Sequence, residues 1–191
     1  MPADTKAKLL DSAERILRER GYNGFSYADL AQEIGIRTAS IHYHFRAKSD
    51  LALALIERYA ERIAEGLADL SRSAPDGAHR IAGYIAVYRA ALREGSSLCL
   101  CVSLSADAES LEPTALSALE AFHRAGVVWL TEAYALAAED GSIEGVGVPA
   151  SEAAATLAVV EGAQLVGRAS RSVTPFDDAV GLLLARLGDV G

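Results

Sequence analysis

The stretch that decides the fold is SYADLAQEIGIRTASIHYHF, residues 26–45. Ser26 is placed to cap a helix over residues 27–34, and Asp29 stands three positions later, where a capping box carries an acidic side chain. Gly35 follows, and glycine most readily adopts the left-handed conformation in which helices end. The first half of the stretch therefore predicts one short helix with a defined start and end.

A second short helix follows the glycine. Thr38 is placed to cap it, and the helix should run over residues 39–44. Ile41 and Phe45 are four positions apart, so they share one face and should point into the core. Two short helices joined at a glycine are typical of a helix-turn-helix, whose second helix lies in the major groove of double-stranded DNA.

Charge is divided unevenly along the chain. The whole sequence has 18 Lys and Arg against 26 Asp and Glu, a formal net charge of −8. Residues 1–50 hold eight basic and seven acidic side chains, a net +1, and the remainder holds ten against nineteen, a net −9. The N-terminal segment is therefore the part suited to phosphates, and the net acidity does not argue against DNA binding.

The rest of the chain predicts helix almost throughout, because alanine, leucine, glutamate and arginine dominate. The segment 98–106 is ambiguous by periodicity, and we assign it as helix since no partner strand is evident. The sequence thus predicts an all-α protein of about nine helices, with turn-rich breaks at 71–77 and 140–149. Besides the motif, the predicted helices cover residues 6–20, 48–70, 78–94, 98–106, 114–138, 151–170 (capped by Ser151) and 175–187 (opened by Thr174-Pro175).

The composition also bounds the compartment. No apolar run approaches the roughly 20 residues needed to span a bilayer, and no apolar segment of a signal peptide follows the N-terminus. Two cysteines do not make a disulfide framework. We therefore expect a cytoplasmic protein with no membrane association.

The segments RGYNGFS (residues 20–26) and HYHFRAKSDL (residues 42–51) flank and complete the motif. With the Ile-Gly-Ile turn, their order and spacing resemble the N-terminal domain of the TetR family of transcriptional regulators, the TetR/AcrR-type repressors. The resemblance covers roughly residues 6–56. It implies a larger C-terminal helical domain that binds a small-molecule effector and whose last two helices pair in a homodimer. Residues 98–109 and 160–163 resemble one branch of the family more weakly.

This resemblance divides the chain into a helix-turn-helix DNA-binding domain at 1–50 and a ligand-binding and dimerisation domain at 51–191, linked by the helix over 48–70. It implies that Arg37 and its neighbours reach base edges, and an arginine can grip guanine with two hydrogen bonds. The alternative is that the histidines are ordinary surface residues and Tyr43 a core edge residue. The predicted DNA contacts are Ser26, Tyr27, Arg37, Thr38, Ala39, Ser40, His42, Tyr43, His44 and Lys48.

Two further sets of residues fit the C-terminal part, although each also fits a plain helical core. We expect no metal or cofactor, because His42 and His44 at i, i+2 point to different sides of a helix. The candidate ligand pocket consists of Tyr84, Tyr88, Cys99, Phe122, His123, Trp129 and Gln164. The candidate dimer interface consists of Leu157, Ala158, Glu161, Leu165, Val180, Leu183, Leu184 and Leu187.

These features predict a DNA-binding transcriptional regulator, a homodimeric repressor of a pseudo-palindromic operator that a small-molecule effector releases. An alternative keeps the DNA-binding head and makes Cys99 or Cys101 a redox or electrophile sensor. Against it, the nearest cation in sequence is Arg93 and a disulfide at this spacing would be strained. A helical enzyme or apolar-ligand carrier is a remote alternative, since the sequence has no Ser/His/Asp set, metal-spaced cluster, P-loop or dinucleotide motif.

Overall fold

The computed structural model describes residues 2–188, with side chains from residue 5 onward. Over these residues the chain forms nine α-helices and one short 3₁₀ turn and no strand, which confirms the all-α prediction. None of the described helices combines the length and apolar character that crossing a bilayer requires. The helices are α1 (Pro2–Arg20), α2 (Tyr27–Ile34), α3 (Thr38–His44), α4 (Lys48–Ser73), α5 (Gly77–Leu92), α6 (Leu100–Ala106), α7 (Pro113–Asp140), α8 (Pro149–Ser170) and α9 (Thr174–Leu184), with the 3₁₀ turn at Ala108–Ser110.

Packing divides the chain into two compact units. The first unit is Met1–Glu61 with Leu100–Phe122, and the second is Arg62–Cys99 with His123–Gly191. Helices α4 and α7 each contribute residues to both units. The predicted boundary at residue 50 marks the end of the DNA-binding domain. It stays a prediction, because a packing unit and a functional domain need not end at the same residue.

The first unit is built around the three N-terminal helices. α1 packs on α2, and α2 packs on α3. The predicted inward direction of Ile41 and Phe45 is confirmed. The buried core of these helices consists of Leu9, Ala13, Ile16, Leu17, Leu30, Ile41 and Phe45.

α6 and the turn after it bind the loop between α1 and α2. The Ser103 hydroxyl donates to the Leu17 carbonyl at 2.9 Å, at the end of α1. The Asp107 carboxylate accepts the Tyr22 N–H at 2.7 Å and the Asn23 side-chain amide at 3.0 Å. These bonds supply partners for polar groups in and just after the last turn of α1.

The second unit is held by α5, α8 and α9, which pack on one another. Phe176 and Val180 of α9 are almost wholly buried. The Tyr134 hydroxyl of α7 shares a hydrogen bond of 2.7 Å with the Thr156 hydroxyl of α8, and both residues are buried. These two buried hydroxyls are therefore paired with each other.

The helix ends of the motif agree with the sequence except at one cap. The Ser26–Asp29 capping box is present, and Gly35 adopts the predicted left-handed conformation with φ of 71°. The prediction that Thr38 caps the second helix is wrong. Arg37 holds the N-cap position without a side-chain hydrogen bond, and Thr38 is the first helical residue.

Other predicted helix ends also differ: Val173, not Thr174, is the N-cap of α9, and α6 begins at Leu100 rather than at residue 98. Val148, not Ser151, is the N-cap of α8, because Pro149 has the fixed φ and the missing N–H that suit a first helical turn. α4 continues to Ser73, where the Ser73 hydroxyl bonds back to the Asp69 carbonyl. α9 ends earlier than predicted, at Leu184.

Two glycines provide a matched stability test. Gly95 has φ of 80°, and a Cβ there would lie 2.3 Å from the Ser172 nitrogen and 2.4 Å from the Arg171 carbonyl carbon. Gly141 has φ of 75°, but nothing lies within 4 Å of its Cβ position. We expect Gly141→Ala to lower the free energy of unfolding by about 1 kcal/mol through left-handed strain alone. Gly95→Ala should cost at least about 2 kcal/mol more, because backbone must also move.

Urea unfolding followed by far-ultraviolet circular dichroism measures both variants. Equal losses of stability at the two positions would contradict the close packing at Gly95.

Candidate functional site

The outer face of α3 carries the predicted DNA contacts. Helical periodicity places Thr38, Ala39, His42 and Tyr43 within one arc, opposite the buried Ile41. Tyr43 is 82% exposed, although it is a large aromatic side chain. Of the other predicted contacts on or next to α3, three are exposed and three are partly exposed. The exposed ones are Arg37, Ala39 and His42, and the partly exposed ones are Thr38, Ser40 and His44.

The His42 ring is held in place from two sides. Its Nδ1 lies 3.2 Å from the Arg46 carbonyl oxygen, and because a carbonyl only accepts, Nδ1 must carry the proton. The Tyr27 ring meets it edge-on at 5.0 Å between centroids. In the neutral imidazole, Nε2 is therefore the acceptor, which suits an amino group on a base edge.

The Tyr27 hydroxyl is engaged within the protein. It donates to the Ala47 carbonyl at 2.6 Å and lies 3.2 Å from the Phe45 carbonyl. Burial raises the pKa of Tyr27, with a smaller contribution from the Asp50 charge, so the phenol stays protonated. A phosphate oxygen only accepts hydrogen bonds. The Tyr27 hydroxyl already donates its one proton to the loop between α3 and α4, so it has none to donate to a phosphate.

Ser26 is likewise occupied by its own helix. Its hydroxyl donates to the Asp29 carboxylate at 2.6 Å and accepts the Asp29 N–H at 3.3 Å. The Ser26 N–H donates to the same carboxylate at 2.7 Å. Hydrogen bonds from the Ser26 side chain and backbone lower the pKa of Asp29. The start of α2 thus presents a stabilised negative charge beside the side chain predicted to meet a phosphate.

Lys48, the first residue of α4, binds the loop between α1 and α2. Its ammonium donates to the Tyr22 and Phe25 carbonyls. It also lies over both rings, 4.6 Å from the Tyr22 centroid and 4.3 Å from the Phe25 centroid. Burial lowers the pKa of Lys48, and the nearby Asp107 and Asp29 charges oppose that shift. Two of its three N–H donors are used, which leaves one for a phosphate.

Several basic residues of the first unit pair internally. Arg15 bonds to Glu19 at 2.7 Å and also to Glu33, and Arg58 bonds to Asp11 at 2.7 Å and Glu14 at 2.9 Å. The net +1 of residues 1–50 is therefore not spread evenly over the surface. Positive charge near α3 comes from the exposed set Arg37, Arg46 and Lys6, whose ammonium lies 5.8 Å from the Phe45 ring centroid.

The second unit contains a row of polar and aromatic side chains. The Tyr84 ring stacks on Trp129 at 5.7 Å and lies 5.2 Å from the Tyr88 ring. The two tyrosine hydroxyls are 3.4 Å apart, and the Tyr88 hydroxyl lies 3.4 Å from Glu161 Oε1. His123 Nε2 is 3.2 Å from the same carboxylate oxygen. Burial raises the pKa of both tyrosines. We call these five residues the Tyr–Glu cluster.

Gln164 connects the Tyr–Glu cluster to the chain before α6. Its amide donates to the Tyr88 carbonyl at 2.6 Å and accepts the Cys99 N–H at 2.9 Å. Of the seven predicted pocket residues, only Phe122 lies in the first unit, where it packs on Tyr59 at 5.8 Å. Cys99 and Cys101 are both buried, and neither forms a disulfide. Among the described residues, no three His, Cys, Asp or Glu side chains lie close enough together to hold a metal ion.

The predicted dimer residues separate by burial. Leu157, Val180 and Leu187 are buried within their own chain, so they fill its core and offer no surface to a second copy. Leu165 is 45% exposed, and Leu182, which the sequence analysis did not select, is 81% exposed. Ala158 is exposed, whereas Glu161, Leu183 and Leu184 are partly exposed. The exposed apolar stripe of α8 and α9 consists of Ala154, Ala158, Gly162, Leu165, Val166 and Leu182.

Comparisons with known proteins agree with this layout. Residues 9–55 match the family described as bacterial regulatory proteins, tetR family. The chain is 28% identical to the HTH-type transcriptional repressor NemR of Escherichia coli K12 over 93% of this chain and 90% of that one. A crystal structure of a TetR-family transcriptional regulator from Agrobacterium tumefaciens shares 30% identity, with a TM-score of 0.92 over 98% of this chain and 99% of that one.

This chain belongs to the TetR family. It is a DNA-binding transcriptional regulator with a helix-turn-helix at its N-terminus. The crystal structure of Escherichia coli NemR in its reduced form is 27% identical, with a TM-score of 0.82 over 97% of both chains.

Sequence reasoning missed two basic residues of this TetR-family head, Arg46 and Lys6. Arg46 stood in the segment that carried the resemblance, but it follows the predicted helix and was not selected. Lys6 precedes the motif by twenty residues, and only the packing of α1 brings its ammonium near Phe45. The division of charge along the chain was the one signal that included both residues.

Substitution of Lys48, with Arg46 as the control, tests whether the lysine stabilises the fold. Lys48→Met should lower the free energy of unfolding by about 2 kcal/mol, because two carbonyls lose a charged donor. Arg46→Met removes the same charge from an exposed position and should change stability by no more than about 0.5 kcal/mol. Chemical denaturation of both variants gives the comparison. A Lys48→Met protein as stable as Arg46→Met would show that the ammonium is not needed for the fold.

Proposed function

We propose that this protein is a homodimeric repressor of a pseudo-palindromic operator in double-stranded DNA, released by a small-molecule effector. The observation that carries the proposal is the outer face of α3, where Tyr43 is 82% exposed beside exposed Arg37 and His42. Folding alone gives no reason to expose that aromatic ring on a helix whose apolar residues are buried. The likeness to NemR, a transcriptional repressor, over nearly the whole chain supports repression.

Each side chain of α3 suits a different part of the duplex. Arg37 can donate two hydrogen bonds to guanine O6 and N7, and Ala39 can touch a thymine methyl group. Tyr43 and His44 suit phosphate oxygens, as does the third N–H of Lys48. Ser40 and Thr38 are small enough for close approach to the groove. Arg46 and Lys6 add charge that the phosphate backbone attracts without regard to sequence.

Ser26 and Tyr27 have a more limited part in this proposal. Their side chains already bond within the protein, so the groups available to a phosphate are the N–H groups at the start of α2. We therefore place their contribution in positioning α2 and α3 rather than in side-chain contacts. The DNA-binding domain of residues 1–50 keeps its proposed bounds.

A homodimer would place two copies of α3 about 34–36 Å apart, in successive major grooves. The exposed apolar stripe of α8 and α9 is the surface we assign to this dimer. Its alanine and glycine residues allow two helices to approach closely, and Leu165 and Leu182 supply apolar area. Two such helix pairs would form a four-helix interface about a two-fold axis.

Release by an effector requires linkage between the C-terminal domain of residues 51–191 and α3. α4 runs as one helix from Lys48 to Ser73, so a shift along it would change the spacing of the two recognition helices. A coupling of about 1–3 kcal/mol is typical of such linkage. The proposal gives the protein a cytoplasmic location and no catalytic role.

Redox control through cysteine is the weaker alternative. NemR has been solved in a reduced form, which makes the alternative relevant to this chain. However, Cys99 is 3% exposed and Cys101 is fully buried. Sensor cysteines are usually accessible to their oxidant, so burial of both sulfurs favours a non-covalent effector.

The arginine at the start of α3 provides the test of DNA recognition. Arg37→Ala should weaken binding to the DNA upstream of the gene by about 5- to 150-fold, because a bidentate guanine contact is worth roughly 1–3 kcal/mol. Arg72→Ala removes an exposed arginine near the end of α4 and should leave binding unchanged. Fluorescence anisotropy at one fixed salt concentration measures both. Equal affinities for the two variants would contradict the proposed role of α3.

Leu182 provides the test of the dimer. Leu182→Asp places a charge in the proposed interface and should convert the dimer to a monomer with weakened operator binding. Val148→Asp makes the same change at a residue that is 66% exposed before α8, and it should remain dimeric. Light scattering after size-exclusion chromatography gives the mass. A dimeric Leu182→Asp protein, or a monomeric parent, would exclude this interface.

A further inference from the structure

The Tyr–Glu cluster contains more polar chemistry than packing requires. Tyr84 and Tyr88 are 3% and 4% exposed, so both phenol hydroxyls are buried. Two phenylalanines would fill the same space without the cost of removing two hydroxyls from water. The hydroxyls instead form a row that ends at the Glu161 carboxylate, with both distances at 3.4 Å, the outer limit of a hydrogen bond. Contacts this long contribute little stability, so packing alone does not explain the two hydroxyls.

The carboxylate lies at the accessible end of the row. The Glu161 side chain is 22% exposed and the His123 side chain 24%, whereas the two tyrosines behind them are almost wholly buried. The cluster therefore places a charged group at the surface and an aromatic wall inside it. Small-molecule sites in proteins combine these parts, a mostly aromatic lining and a few polar groups that fix orientation.

The negative charge of the cluster favours one class of ligand. A partly exposed carboxylate attracts cations, and so does the face of an aromatic ring, which carries partial negative charge; Trp129 is the partly exposed ring of the cluster. The chain beyond residue 50 is also strongly acidic, with a net −9, which raises the local concentration of cations.

We propose that the Tyr–Glu cluster binds a hydrophobic organic cation, with its ammonium group at Glu161 and its apolar body along the partly exposed Trp129 ring. This inference rests on the proposed function, since it names the chemical class of the effector. Glu161, which the sequence analysis placed in the dimer interface, is thereby a ligand-binding residue.

The single tryptophan of the chain makes binding directly measurable. Trp129 stacks on Tyr84, and its indole N–H donates to the Ser71 hydroxyl at 3.0 Å, so its fluorescence reports on the cluster alone. The probes are benzyltrimethylammonium, its neutral carbon isostere 2,2-dimethylpropylbenzene, and the anion phenylacetate. We expect the cation to change Trp129 emission saturably and to bind at least about tenfold more tightly than either other probe.

Two variants separate charge at the cluster from charge elsewhere. Glu161→Gln keeps the shape of the side chain and should weaken cation binding about tenfold, with binding of the neutral probe changed by less than about threefold. Glu139→Gln removes the same charge from an exposed position on α7 and should bind all probes as the parent does. Thermal unfolding of each variant without probe establishes that it is folded.

The possible outcomes each decide the inference. Equal binding of cation and neutral probe, tighter binding of phenylacetate, no saturable change with any probe, or a cation preference that survives in folded Glu161→Gln would each overturn it. These measurements use DNA-free protein, so they do not depend on the repressor proposal. Binding of the cation at Glu161 without any loss of operator affinity would leave the site standing and contradict effector release instead.

Discussion

The orientation of α3 depends on hydrogen bonds that meet at the first residue of α4. Carbonyls in the loop between α1 and α2 have no helical partner, and Lys48 supplies one charged donor to both Tyr22 and Phe25. Tyr27 makes the complementary bond, from α2 to the Ala47 carbonyl just before α4. α3 lies between these two connections in the chain. A seven-residue helix is too short to be stable alone, so its direction is set by what holds its ends.

The requirements of folding and of recognition are separated on α3 by face. Ile41 is the one buried residue of the helix, and Phe45 follows directly after it. These two apolar anchors leave Thr38, Ala39 and Tyr43 of the outer arc without a structural task, whereas His42 bonds to the Arg46 carbonyl. Under the proposed function, substitutions of those three residues should alter DNA sequence preference at little cost in stability, whereas changes at Lys48 or Tyr27 should disturb the fold first.

Local sequence patterns were sufficient to predict most of the fold, whereas contacts between residues far apart in the sequence could not be predicted. The capping box at Ser26 and the turn at Gly35 depend on residues within four positions, so both were predicted correctly. The role of Lys48 depends on carbonyls more than twenty positions away, and no local sequence pattern predicts it. In α8, apolar and small residues occur on every side, so periodicity could not separate buried Leu157 from the exposed stripe.

The magnitude of the proposed linkage is consistent with the bonds available to transmit it. Gln164 holds the Cys99 N–H, and α6 begins at the next residue. Beyond it, Ser103 and Asp107 bond to Leu17, Tyr22 and Asn23 of the DNA-binding head. A change at the Cys99 end must either move the head with α6 or break these bonds, at roughly 1 kcal/mol for each. Breaking all three would cost about as much as the whole coupling of about 1–3 kcal/mol that the proposed function requires.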